Sequence, residues 1–185
     1  MKKIIFIVFL LLTACFGGYS KPTRFYNLIS YNNKVISNKI ISINIEPISI
    51  PSYLDRPQII TIGSQPTELN ISETNRWAEP LNIAMQRVLI QDLQSSLPNA
   101  IINLEQKDKT NYFISIKINQ FYAKFNDKLI LDISYFIIDK NGKIIFKNSG
   151  NFENSLSDNY NNLAEKVSEV INNLSFEIAK KIASL

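Results

Sequence analysis

Few side chains in this 185-residue sequence could do covalent or acid–base chemistry. There is no histidine, and Cys15 is the only cysteine. Neither a Ser-His-Asp nor a Cys-His pair can form, and there is no means for an imidazole metal site, an internal disulfide or a thiolate cluster. Asp55, Glu73, Glu79 and Asp92 are expected as exposed carboxylates, and two of them together could in principle do acid–base work. Their spacing singles out no such pair. Two of the five glycines, Gly17 and Gly18, stand beside the cysteine. The others, Gly63, Gly142 and Gly150, build neither a phosphate-cradling loop nor a nucleophile elbow. The expectation is therefore a protein that is not an enzyme and holds no metal.

Cys15 is the exception, because its surroundings give a lone thiol a use. Lys2 and Lys3 precede nine apolar residues, Ile4 to Leu12. A membrane-spanning helix needs about 20 such residues, so the run suits the hydrophobic part of a secretory signal. Leu12-Thr13-Ala14-Cys15 resembles the lipobox of bacterial lipoproteins. That resemblance implies removal of residues 1–14, diacylglycerol on the thiol and an N-acyl chain on the new terminus, with no other cofactor. Phe16 follows where an aspartate would favour retention, so the enteric sorting rule implies the periplasmic face of the outer membrane. On this reading residues 15–22 are expected to be the lipidated cysteine and its tether, and residues 23–185 one periplasmic domain. Phe16 to Thr23 can stretch at most ~26–29 Å. A domain on so short a leash needs a second protein to act at the opposite membrane.

Charge excludes another class. Lys+Arg 20 against Asp+Glu 16 becomes 18 to 16 once Lys2 and Lys3 are removed. That is too nearly neutral for a nucleic-acid partner. The lysines from Lys107 to Lys147 are interleaved with apolar residues, as on a solvated strand face. The abundance of isoleucine (31) and asparagine (22) reflects composition bias rather than chemistry.

The hydrophobic pattern places these residues on elements. Strands are expected at Thr23 to Ser30, at Asn38 to Glu46, at Gln58 to Ile62 and, briefly, at Leu69 to Ile71. In the second, Ile41, Ile43 and Ile45 face one way and Ser42 and Asn44 the other. Leu81, Ala84, Met85, Val88, Leu89, Leu93 and Leu97 form one helical stripe. Pro80 suits the first helical position, and Glu79 sets a carboxylate at the positive end of the dipole. Further strands are expected at Ala100 to Leu104, Tyr112 to Phe125, Leu129 to Ile138 and Lys143 to Phe152, with a turn at Asp139-Lys140-Asn141-Gly142 whose Asn-Gly tip tolerates positive φ. A last helix begins near Asp158, its stripe running through Leu163, Val167, Val170, Ile171, Leu174, Ile178 and Ile182. The expectation is an α+β two-layer sandwich: a mostly antiparallel sheet with two amphipathic helices packed on it.

Two stretches differ in composition from the rest: Pro51 to Ile59, and Arg76 to Leu81 continuing to Arg87-Val88-Leu89. Together they hold three of the four arginines, the single tryptophan and three of the seven prolines. One reading is an internal clasp, with Arg56 or Arg76 pairing Asp55 or Glu79 where strand meets helix. The other is a partner-binding surface, because tryptophan, tyrosine and arginine dominate binding hot spots. The residues concerned are Tyr53, Asp55, Arg56, Pro57, Arg76, Trp77, Glu79 and Pro80, and both readings can hold at once.

With its lipobox, Tyr-Leu-Asp-Arg-Pro-Gln-Ile at 53–59, Arg-Trp-Ala-Glu-Pro-Leu at 76–81 and Arg-Val-Leu at 87–89, the chain resembles the PqiC-type family of ABC-type transport auxiliary lipoproteins. The resemblance implies a non-enzymatic subunit of an MCE-type system that moves lipids or other hydrophobic molecules between inner and outer membranes. Its implied role is to dock a periplasm-spanning MCE-domain protein, with self-association into a homo-oligomer among its expected modes. The alternatives are an auxiliary lipoprotein of another envelope machine (cell-wall synthesis or secretion), a periplasmic lipid-modifying enzyme, or a domain that itself holds a lipid.

Overall fold

The structure, a computed structural model, describes residues 21–31, 34–104 and 110–185. Cys15, the expected signal and most of the tether, and Lys107 and Lys109, lie outside the described residues.

Among the described residues, eight strands and two helices follow in the order β1 (Arg24–Tyr26), β2 (Ser42–Ile45), β3 (Gln58–Ile62), β4 (Leu69–Trp77), α1 (Leu81–Ser96), β5 (Ile101–Asn103), β6 (Tyr112–Ala123), β7 (Asp127–Asp139), β8 (Ile144–Leu156) and α2 (Tyr160–Ser184). The fold is α+β, as the alternation of strand and helix periods implies. There are two sheets, β1-β4-β3 and β5-β2-β6-β7-β8. The long ladders β6–β7, β7–β8 and β3–β4 are antiparallel; the short β1–β4, β2–β5 and β2–β6 pairs are parallel.

The large sheet shows how sequence pattern becomes core. In β7, Leu129, Leu131, Ile133, Tyr135 and Ile137 are buried and their neighbours are not. In β6 the phase changes, with Ile114, Ile116 and Ile118 buried and then Phe121 and Ala123. A bulge between Ile118 and Gln120 makes this shift. Two residues there oppose one, so the strand turns over by one position. Asn119 is the extra residue, and its amide reaches Ser134 at 2.7 Å and Asp132 at 3.3 Å. All seven residues of the expected α2 stripe are buried. The helix starts at Tyr160, capped by Asn159, whose side chain accepts from the Asn162 amide at 2.7 Å. The helices pack on each other, and α2 also packs on β7 and β8.

Several expectations need correction. Asp92 is 0 % exposed, not a surface carboxylate, and Glu79 is only partly exposed. Asn44, expected on the polar face of β2, is buried because this strand lies between β5 and β6. β1 is only three residues long, and β4 runs to Trp77 rather than stopping at Ile71. The polar run Ser72 to Arg76 carries no apolar alternation; its end is held by Asn75 pairing with Arg24 of β1 and by Arg76 pairing with Phe25 of β1 and Gln58 of β3. Pro80 is the cap residue before α1, with ψ 132°, not its first helical residue. At the β7–β8 turn only Gly142 has positive φ (80°). The turn spans Asp139 to Gly142 as expected, and the Asp139 carboxylate closes it by accepting from the amides of Asn141 and Lys143.

Candidate functional site

The two unusual stretches meet. After Pro51 the chain makes one 3-10 turn, Ser52–Leu54, with Leu54 buried. Tyr53 is half-buried, and its hydroxyl donates to the Phe121 carbonyl of β6 at 3.1 Å, fixing this turn to the large sheet. Burial pushes the Tyr53 phenol above its ordinary pKa, and the bond to Phe121 pulls it back in part. Asp55, Arg56 and Pro57 then emerge exposed. The Pro57 carbonyl accepts from the Trp77 amide at 2.8 Å, and Gln58 pairs with Arg76 across the β3–β4 ladder. On the other side of β4, the Ala78 amide donates to the Tyr26 carbonyl at 2.8 Å.

This stitching leaves a cavity of ≈ 320 Å³ between the stretches, lined by Phe25, Arg56, Pro57, Trp77, Glu79 and Pro80 together with Asp55 and Ala78. Its walls are mainly apolar. Trp77 is 4 % exposed and forms the floor, while Phe25 stands 64 % exposed at the rim. Of the eight residues expected at the site, six line this cavity. Tyr53 and Arg76 do not; Tyr53 is turned to β6, and Arg76 pairs in register with Phe25 on β1.

An ion-pair clasp is present, but its members differ from those expected. Glu79 pairs with Arg87, two turns along α1, at 2.8 Å. Arg87 also donates to the Asn27 side chain at 2.7 Å and to the Leu28 carbonyl at 3.0 Å, so one guanidinium ties the helix start to the chain leaving β1. The planar fork of arginine suits such divided pairing. Arg56 and Asp55 make no ion pair among the described residues, and the Arg76 Nε atom is buried without a partner. Phe25 and Arg87 were not among the residues expected here. Arg87 stands in the quoted Arg-Val-Leu stretch, but a guanidinium two turns away gives no local sign of its carboxylate. Phe25 looks like any strand residue.

No cluster of His, Cys, Asp or Glu able to hold a metal occurs among the described residues. No helix among them is long and apolar enough to cross a membrane.

Residues 28–179 match the model of the ABC-type transport auxiliary lipoprotein component family. The chain belongs to that family. The match takes in both stretches, and the family is one of transport auxiliary lipoproteins rather than of enzymes. Among curated proteins, the chain is similar to the intermembrane transport lipoprotein PqiC of Escherichia coli (strain K12), 20 % identical over 101 residues, which is 55 % of this chain and 53 % of that protein. The same figures hold for PqiC of Shigella flexneri. The chain thus spans about half the length of the curated relatives it matches. In three dimensions it resembles the crystal structure of an uncharacterized protein with TM-score 0.74 and 18 % identity, covering 88 % of this chain and 99 % of that one. Protein XCC0632 from Xanthomonas campestris gives TM-score 0.69 at 10 % identity, covering 88 % and 95 %. These likenesses show that the fold of this chain is shared, over most of its length, with those two solved structures.

Proposed function

We propose that this protein is an outer-membrane lipoprotein of an MCE-type intermembrane transport system. It is anchored through acylated Cys15 and docks a periplasm-spanning MCE-domain protein that carries hydrophobic cargo. The observation that supports this reading is the convergence of the two family stretches on one exposed, mainly apolar cavity. Its rim offers Arg56 and Asp55, with no ion pair holding either among the described residues. An exposed arginine beside an apolar slot floored by tryptophan has the chemistry of a binding hot spot. The backbone bonds around Pro57 and Trp77 fix the slot before any partner arrives, which lowers the ordering cost of association. The chain carries no nucleotide-binding signature, so energy for transport would come from other subunits. The mature N-terminus would bear diacylglycerol and an N-acyl chain and no other cofactor.

The test is a mild-detergent pull-down of the full-length lipoprotein, beside a Cys15→Ala control. Recovery of an MCE-domain protein, reduced in cells when the anchor is removed, is the expected result. Recovery of cell-wall or secretion components in its place would overturn the transport role while leaving the fold untouched.

A further inference from the structure

Between β1 and β2, residues 27–31 and 34–37 form a strap laid along α1. Arg87 holds Asn27 and Leu28, Asp92 holds Ser30 and the Tyr31 amide, and the Ser96 carbonyl accepts from the amides of Ile36 and Ser37. The strap therefore follows the helix from its second turn to its last residue, and the Ile29 amide ties it to α2 by donating to Ser168 at 3.1 Å.

These attachments sort its side chains. Leu28 turns inward and is 0 % exposed, whereas Ile29, Tyr31 and Val35 are 51, 41 and 58 % exposed. Around this apolar row the charge is one-sided within the segment: residues 21–45 contain Lys21, Arg24, Lys34 and Lys39 and no aspartate or glutamate. The acidic groups facing Tyr31 from the helices are Glu165, Glu169 and Asp92. Glu169 is paired with Lys166 at 2.8 Å and Asp92 is wholly buried. Among the described residues, the acidic groups left near the basic flank are Glu165, beside Tyr31, and Asp158, which lines a cavity with Lys21 and Arg24.

The strap also lies where the chain enters the domain. Lys21 follows Cys15 by six positions (21 − 15), and six residues stretch at most ~20–22 Å. We propose that the strap face rests on the bilayer that holds Cys15, with Ile29, Tyr31 and Val35 in the lipid interface and the four basic residues against anionic headgroups. This rests on the lipid anchor proposed above. Apolar and aromatic side chains flanked by lysine and arginine are the composition that settles at such an interface. A domain lying on its strap has a fixed orientation, rather than swinging on its leash.

The experiment uses the full-length lipoprotein in vesicles of phosphatidylethanolamine and phosphatidylglycerol with brominated chains. Ile29→Trp and Val35→Trp are reporters, and Ile144→Trp, on exposed β8, is the control. Buried Trp77 gives the same background in each. The two strap reporters are expected to lose emission to bromine while the control keeps it, and replacing phosphatidylglycerol by phosphatidylcholine is expected to reduce that loss. Full emission from both strap reporters, in protein that floats with the vesicles, would overturn the proposal and leave the strap to a protein partner. Equal quenching at all three positions would overturn it too, because the domain would then have no preferred face. Full-length protein that fails to float would remove the anchor, and the proposal with it.

Discussion

The carboxylate of Asp92, fully buried in α1, accepts a hydrogen bond from the backbone amide of Tyr31 at 3.1 Å, 61 positions earlier in the chain. The same oxygen receives the Ser30 hydroxyl, while the second carboxylate oxygen is buried without a partner among the described residues. A buried acceptor that organises two donors is costly to delete, because those donors lose their partner in a place water does not easily reach.

Replacing Asp92 with alanine is therefore expected to cost about 1–3 kcal/mol. Denaturant titration would read the loss. Hydrogen exchange at Tyr31 should accelerate more than exchange in β6 and β7, because the strap is released before the sheet. Uniform acceleration across the domain would show that Asp92 supports the core as a whole.

At the clasp, Arg87→Ala is expected to destabilise more than Glu79→Ala. Removing the carboxylate breaks one partly exposed ion pair, worth about 0.2–1 kcal/mol. Removing the guanidinium also abandons the Leu28 carbonyl and the Asn27 side chain. A double-mutant cycle would isolate the shared part. Equal single-mutant losses would contradict this division.

Gly142 sits at φ 80° in the β7–β8 turn with nothing within 4 Å of where a Cβ would stand. Alanine there meets no clash but must hold a left-handed backbone, so Gly142→Ala should cost about 1 kcal/mol. A lowered midpoint with unchanged denaturant slope would be the signature.

Alkaline pH offers a separate check. Burial raises the phenols of Tyr53 and Tyr135 above the ordinary value of 10.0. The folded state then holds these protons more tightly than the unfolded one. The resulting stability is fully present below pH 10 and is lost as pH rises through the folded pKa values. Tyr53→Phe should make the alkaline decline shallower, at a cost of about 1 kcal/mol near neutrality from the lost bond to Phe121. An alkaline decline as steep as that of the unaltered protein would exclude Tyr53 as a contributor.

Arg56→Glu tests docking without disturbing the fold. Arg56 is exposed and makes no ion pair among the described residues, so stability should change by less than about 0.5 kcal/mol. Recovery of the partner in the pull-down should fall sharply. Full recovery would remove Arg56 from the docking surface.

Periodicity made the two helices and the long meander legible. The α2 stripe from Leu163 to Ile182 lies wholly in the core because a seven-member pattern at helical spacing has few other outcomes. What stayed hidden depends on partners distant in sequence. The polar stretch Ser72 to Arg76 ends in pairings of Asn75 and Arg76 with β1 and β3 that no local pattern shows, and Glu79 found Arg87 rather than Arg76, which is nearer in sequence. Asp92 was expected at the surface because it is charged, but it falls four residues after Val88 on the inward face of α1, and the fold buries it with the strap as its partner. The site divided similarly. Composition identified both motif stretches, but only the Trp77 amide meeting the Pro57 carbonyl shows that they share one cavity. Phe25 joins them through a three-residue parallel pairing that no local pattern announces.

The bond from the Ile29 amide to Ser168 spans 139 positions and has a consequence for the order of folding. A contact between the first described segment and the last helix cannot form until almost the whole chain is available, and such distant closures come late and slowly. The β6–β8 meander, whose ladders join neighbours in sequence, can assemble before it. The strap is thus expected to settle last, over helices already in place, and any truncation that removes α2 would leave it with one helix to lie on instead of two.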